Sequence, residues 1–195
     1  MGKATGPTYK VPFKRRRKNL TNYKKRLALL KSMKPRLVVR KSLKHIYIQF
    51  INYSKIGDVT IVSTNSKQLV KYGWGSRSNT PTAYLTGLLA GFKAKEKGVK
   101  EFTLDIGLQT PSKGSVVFAA LKGAVDSGLK TNYNESMVDM ARIRGEHIAK
   151  YAQSLKEKGV YEKRFSQYLK EGIQPTGITG LFESVKQAIV KEFGG

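Results

Sequence analysis

Cysteine is absent from this 195-residue chain. That excludes disulfides, thiolate-bound zinc, iron–sulfur clusters and thiol catalysis, and it fits a reducing compartment. Histidine is scarce: His45 and His147 are the only two, too few for a histidine-rich metal site. No run of 18 apolar residues occurs, so no membrane-spanning helix is expected. The first residues lack an apolar core of the secretory type, and their cations form a block rather than an amphipathic stripe, which argues against a signal or transit peptide.

Acid is the scarcest commodity. Thirteen Asp and Glu stand against 37 Lys and Arg, a net charge of +24. Residues 1–95 hold 22 basic residues and a single acid, Asp58, for +21, whereas residues 96–195 hold 15 basic and 12 acidic residues, for +3. Such an excess repels itself in a compact state. A polyanion explains it, because each phosphate neutralised by Lys or Arg releases condensed counterions. The partner surface is therefore expected mainly on the first half.

Residues 1–19 have two prolines, two glycines and no apolar period, so they read as an extended arm. Its block Lys14, Arg15, Arg16, Arg17, Lys18, with Lys10 and the rings of Tyr9 and Phe13, combines phosphate-binding cations with surfaces that stack on unpaired bases. A short basic helix is expected over 23–33, stopped by Pro35, adding Tyr23, Lys24, Lys25 and Arg26. The period then changes to two. Segments 36–40, 45–51 and 59–63 are rich in β-branched and aromatic residues between turn signals, which predicts a three-stranded antiparallel meander. Arg36, Arg40, Lys41, Lys44 and His45 flank its first hairpin.

Residues 71–79 read as a loop in which Tyr72, Trp74 and Arg77 sit among glycines, a pattern suited to RNA contact, with Trp74 either stacked on a base or lying flat on the protein. A helix follows, capped by Thr80 with Pro81 at its first position and ending at Gly98. A short strand over 101–104, a helix from Ser115 to Gly128 and a brief strand near Leu129 imply a parallel crossover joined to the hairpins. The loop 105–115 tempts a phosphate-loop reading. Counted from Gly107, Lys113 falls correctly, but Ser112 and Gly114 break the Walker pattern. Lys113 and Ser115 are still placed to meet an RNA phosphate at a helix start. The last third reads as helices over 136–155, 161–171 and 179–193, with Arg142, Arg144, Glu146 and His147 in the first of them and Arg144 and His147 on one face.

These elements predict an α/β fold: a ribonuclease-H-like core of antiparallel meander plus helix–strand–helix, an extended basic N-terminal arm and a helical C-terminal extension. The divisions fall at 1–34 (arm and short helix), 35–132 (RNA-binding core) and 133–195 (extension). No catalytic or metal site is expected. Nucleases of this arrangement hold Mg²⁺ with several carboxylates, yet residues 36–56 contain none and Asp105 stands alone near a strand end. The rival within binding proteins is a general nucleic-acid-binding or DNA-packaging protein.

Several stretches resemble one family closely: Tyr9-Lys-Val-Pro-Phe-Lys-Arg-Arg-Arg17, Pro35-Arg-Leu-Val-Val-Arg-Lys-Ser42, Lys71-Tyr-Gly-Trp74, Asn79-Thr-Pro-Thr-Ala-Tyr-Leu-Thr-Gly-Leu-Leu-Ala-Gly91, Leu104-Asp-Ile-Gly107, the segment 113–124 and Arg142-Ile-Arg-Gly-Glu-His-Ile148. Together they resemble the archaeal form of large-subunit ribosomal protein eighteen, over residues 6–155. The resemblance implies a cytoplasmic protein of the large ribosomal subunit. It would bind 5S rRNA and tie it to 23S rRNA in the central protuberance, beside large-subunit ribosomal protein five and other proteins there, without a cofactor. Val116 departs from the pattern, where an arginine is expected, so no phosphate contact is carried onto it.

Overall fold

A computed structural model describes residues 6–75 and 77–193. Four strands form one sheet in the order β3-β2-β1-β4: β1 (Arg36–Lys41), β2 (Ile46–Asn52), β3 (Val59–Asn65) and β4 (Thr103–Asp105). The antiparallel pairing of β1 with β2 and of β2 with β3 is the expected meander. β4 pairs parallel to β1, with Val38 opposite Asp105. The segment near Leu129 is reduced to an isolated parallel bridge between Glu101 and Lys130.

Alternation along the strands divides the sheet into two faces. Leu37 and Val39 of β1, and Ile46, Ile48 and Phe50 of β2, point into the main apolar cluster. Helices α3 (Thr80–Glu96) and α4 (Val116–Asp126) belong to that side. α3 is apolar on nearly every face and almost fully buried, as expected for a helix enclosed on all sides. It packs against β2, β3, α4 and the C-terminal helix α9 (Ile178–Phe193). The α3–α4 approach is backbone on backbone. A Cβ at Gly87 would stand 2.1 Å from the Ala120 carbonyl oxygen, and one at Gly123 would stand 2.1 Å from that of Tyr84.

The other sheet face, carrying Arg36, Val38 and Arg40, is partly roofed by the N-terminal segment. Here lie α1 (Lys14–Arg17) and α2 (Tyr23–Leu30), neither of which has a buried residue. The charge block is thus a single helical turn rather than fully extended chain. Residues 1–5 of the arm lie outside the described residues. α2 ends at Leu30, well before Pro35, where Met33 adopts a φ of 54°.

Two further boundaries differ from expectation. The cap of α3 is Asn79, whose side chain accepts from the Thr82 N–H; Thr80 is already helical. An amide oxygen there reaches the free N–H groups of the first turn better than the β-branched hydroxyl one position on. The helix expected over 136–155 is split into α5 (Met140–Arg144) and α6 (Glu146–Glu157) by Gly145, at φ 86°. A Cβ there would lie 3.2 Å from Ile178 and 3.3 Å from Pro81, so the close approach of α3 and α9 sets the break. The segment 161–171 forms two short helices, α7 (Tyr161–Arg164) and α8 (Ser166–Lys170). α9 supplies Ile178, Phe182, Val185 and Ile189 to the same cluster as the sheet.

Candidate nucleic-acid interface

The arm places its cations in solvent. Lys10, Lys14, Arg15, Arg16, Arg17 and Lys18 are exposed, and none forms an ion pair with an acid among the described residues. Arg15 donates from Nε to the Thr21 hydroxyl at 2.8 Å. Phe13 rests on Tyr23 with ring centroids 5.2 Å apart, while Tyr9 and Phe13 keep 45% and 71% of their surface. Four consecutive cations in one helical turn repel one another. A polyanion laid against them removes that repulsion. Lys24 and Lys25 are exposed on α2, and Lys25 borders the groove behind the arm.

Behind the arm lies a groove of about 1140 Å³ between α2 and the open sheet face. Its floor is an ion-pair chain. Arg26 and Arg36 both reach Asp58, at 2.8 and 2.7 Å, while Arg36 and Arg40 both reach Asp105, at 3.0 and 3.1 Å. Burial would raise the Asp58 carboxyl, but the hydrogen bonds and charges of Arg26 and Arg36 outweigh it and hold the group below its ordinary value. Its contribution to stability is therefore present above the ordinary carboxylate range and lost as pH falls through the lowered value.

This chain corrects the expectation for Arg36. With only 2% of its surface exposed, it cannot meet RNA and instead anchors β1 to two acids. Arg26 is partly committed in the same way. Asp58 and Asp105 are the residues that reading by charge alone passes over. A signal for the first was present: a lone acid among 22 cations has partners in abundance. Both acids are engaged by arginines, and no group of three or more His, Asp or Glu suited to a metal occurs among the described residues.

At the first hairpin tip, Lys41 and Lys44 are exposed, and the turn is held by Ser42 and His45, whose N–H donates to the Ser42 hydroxyl. The Ser78 hydroxyl donates to the Ser42 carbonyl at 2.7 Å and ties this tip to the loop before α3. That loop corrects two further expectations. Trp74 is 3% exposed, donates from Nε1 to the Thr82 hydroxyl at 2.8 Å and packs edge-on to Phe182 at 6.3 Å. No face is left for a base. Arg77 lies over the Tyr168 ring at 3.6 Å and pairs with Glu171 at 2.7 Å, so it clasps the C-terminal helices instead. Tyr72 is half-buried; burial and the Glu192 carboxylate push its hydroxyl well above its ordinary pKa. Ser76 lies outside the described residues.

Trp74→Phe tests this placement. It removes one buried hydrogen bond and should cost about 1 kcal/mol of stability, measured by urea unfolding. RNA affinity should not move; a weakened complex with intact stability would return Trp74 to the interface.

The loop after β4 brings together residues far apart in sequence. Lys113 is exposed, and a Cβ on Gly114 would sit 3.2 Å from Cδ of Arg142. Ser115 precedes α4 without a side-chain capping bond. The N–H groups of Gly114 and Ser115 donate to Met137 and Ser112. Arg142 and Arg144 are exposed, Arg144 reaching Glu183 at 3.9 Å. The break at Gly145 puts His147 on a different helix from both arginines, so the shared face expected of Arg144 and His147 does not exist. Burial, then the Arg142 charge, lower the His147 imidazole below its ordinary value despite Asp139. Its Nδ1 is buried without a partner.

A family model described as "Ribosomal large subunit proteins 60S L5, and 50S L18" matches residues 7–101 and 92–134. The matched stretches take in the described arm, all four strands, α3 and α4.

Proposed function

Since this chain belongs to the family of large-subunit ribosomal proteins, a structural and not an enzymatic family, we propose that it binds 5S rRNA and attaches that RNA to 23S rRNA in the central protuberance. Its neighbours there would include large-subunit ribosomal protein five. The observation that carries the reading is the arm: six cations, all exposed, none paired with an acid among the described residues. Lys41, Lys44, Lys113, Arg142 and Arg144 extend the same charge across the hairpin tip and the loop after β4. No helix among the described residues is long and apolar enough to cross a membrane.

Within this reading, residues 1–34 act as the RNA-seeking arm, 35–132 as the binding core and 133–195 as a helical extension keyed into the core by Phe182, Val185 and Ile189. The core belongs with ribonuclease-H-like folds whose catalytic acids are gone. The meander followed by a helix and a parallel fourth strand supports that kinship.

The salt dependence of binding tests the proposal. Log K for 5S rRNA against log salt should fall steeply, each neutralised phosphate adding roughly 0.7–0.9 to the slope. A general nucleic-acid binder would bind duplex DNA of equal length as tightly. Preference for folded 5S rRNA in competition, with the steep slope, supports the proposal; equal affinity for both supports the rival.

A further inference from the structure

Arg40 combines an exposed side chain with a guanidinium held in one orientation. Nη1 donates to the backbone carbonyls of Val39 and Asp105, at 2.8 and 2.9 Å, and Nη2 donates to Asp105 Oδ1 at 3.1 Å. The same Oδ1 accepts the N–H of Gly107 at 2.8 Å, so one carboxylate fixes both the arginine and the turn beneath it. Gly107 has a φ of 65°. A Cβ built there would lie 3.1 Å from Cζ, 3.1 Å from Nη2 and 3.3 Å from Nη1 of Arg40.

Those three distances fix the direction of approach. A carbon approaching in the plane of the guanidinium would meet the outer nitrogens well before the central carbon. Near-equal distances place it over the flat face. Gly107 therefore lies on one flat side of the Arg40 guanidinium, where a side chain would crowd it. The side chain nevertheless keeps 45% of its surface. It borders the groove under α2, where Leu104, Ile106 and Leu108 supply apolar neighbours and Arg15 and Lys25 supply charge.

We propose that the pinned guanidinium of Arg40 is a flat stacking platform for one unpaired base of the bound rRNA. This rests on the rRNA-binding reading above and assigns it a contact of a different kind. A phosphate contact wants a mobile cation with free N–H donors. Here three of the five N–H donors are engaged by protein oxygens, which holds the plane in one orientation and leaves two donors and the flat face. Planar guanidinium groups stack on bases, and a guanidinium already held in place loses little freedom when it does so. Lysine has the charge but no plane.

Equilibrium binding of 5S rRNA to Arg40→Lys and Gly107→Ala, with the full chain, is the test. Arg40→Lys keeps the charge and should weaken binding about tenfold, within the range for loss of one stacked base, while the salt slope stays as in the parent. Gly107→Ala changes no charge but thrusts a methyl at the platform from behind, and should weaken binding in the same way. 2-Aminopurine placed in turn at the unpaired positions of the RNA should show one position quenched by the parent protein and released by both variants. Melting temperatures identify any variant that fails to fold; the 2-aminopurine quench is then read with the other one. Arg40→Lys binding like the parent overturns the platform. So does a loss accompanied by a flatter salt slope, which marks a phosphate contact, and so does quenching at no position. If the parent protein shows no preference for 5S rRNA, the underlying reading falls first, and the platform with it.

Discussion

A chain lacking residues 1–19 will keep its melting temperature and lose affinity for 5S rRNA by two orders of magnitude or more. The arm contributes nothing to the core: no residue from Gly6 to Asn19 is buried. Its described contacts with the rest include the ring of Phe13 on Tyr23, the Arg15–Thr21 hydrogen bond and the Leu20 N–H on the Arg15 carbonyl, all to the α2 region, which has no buried residue. α2 stays tethered by the Arg26–Asp58 pair. The truncation also deletes seven cations: Lys3, Lys10, Lys14, Arg15, Arg16, Arg17 and Lys18. If four of them neutralise phosphates, the salt slope should flatten by roughly 3. Circular dichroism with thermal melting, beside binding at several salt concentrations, checks both halves. An unfolded truncation would make the arm part of the fold. Unchanged binding would shift the affinity to Lys41, Lys44 and the loop after β4.

Asp105→Ala should be the most damaging single substitution on the open sheet face. Its carboxylate accepts from Arg36, Arg40 and the Gly107 N–H together. Arg36 is 2% exposed, and its Nε already lacks a partner. Removing the acid leaves a buried guanidinium leaning on Asp58 alone. Breaking a buried pair from one side typically costs about 3–5 kcal/mol, because the remaining charge is uncompensated. For a chain of this length that corresponds to a fall in Tm of roughly 6–20 °C. Arg36→Met with Asp105→Leu, which takes out both charges, should recover much of the loss. A single variant destabilised by less than 1 kcal/mol would mean that Arg36 escapes to solvent and that the ion-pair chain does not hold β1. The same substitution removes one of the three hydrogen bonds that hold Arg40, so RNA binding should weaken even in the folded fraction.

Charge and period were legible in the sequence because both are sums over neighbouring residues. The single acid in the first 95 residues pointed to a polyanion. Alternation over 36–63 marked three strands, and the arrangement observed is the antiparallel meander it implies. The exposed cations of the arm and the hairpin tip, with Lys113 and Arg142, form no ion pair with an acid among the described residues.

What failed were the inferences that Arg36, Trp74 and Arg77 are free, because availability is decided by residues distant in the chain. Arg36 is taken by Asp105, 69 positions away, and Arg77 by Glu171, 94 away. Trp74, flanked by glycines that suggest an open loop, is enclosed by Phe182 of the last helix. Gly145 ends one helix and starts the next in a left-handed conformation, where Ile178 and Pro81 crowd the space a side chain would fill. The sequence by itself determined that this protein binds a polyanion and builds a meander, because local charge and the two-residue repeat carry that information. Only the tertiary structure decided which arginines stay exposed and which pair within the protein, because a guanidinium pairs with whichever carboxylate the fold brings within about 3 Å.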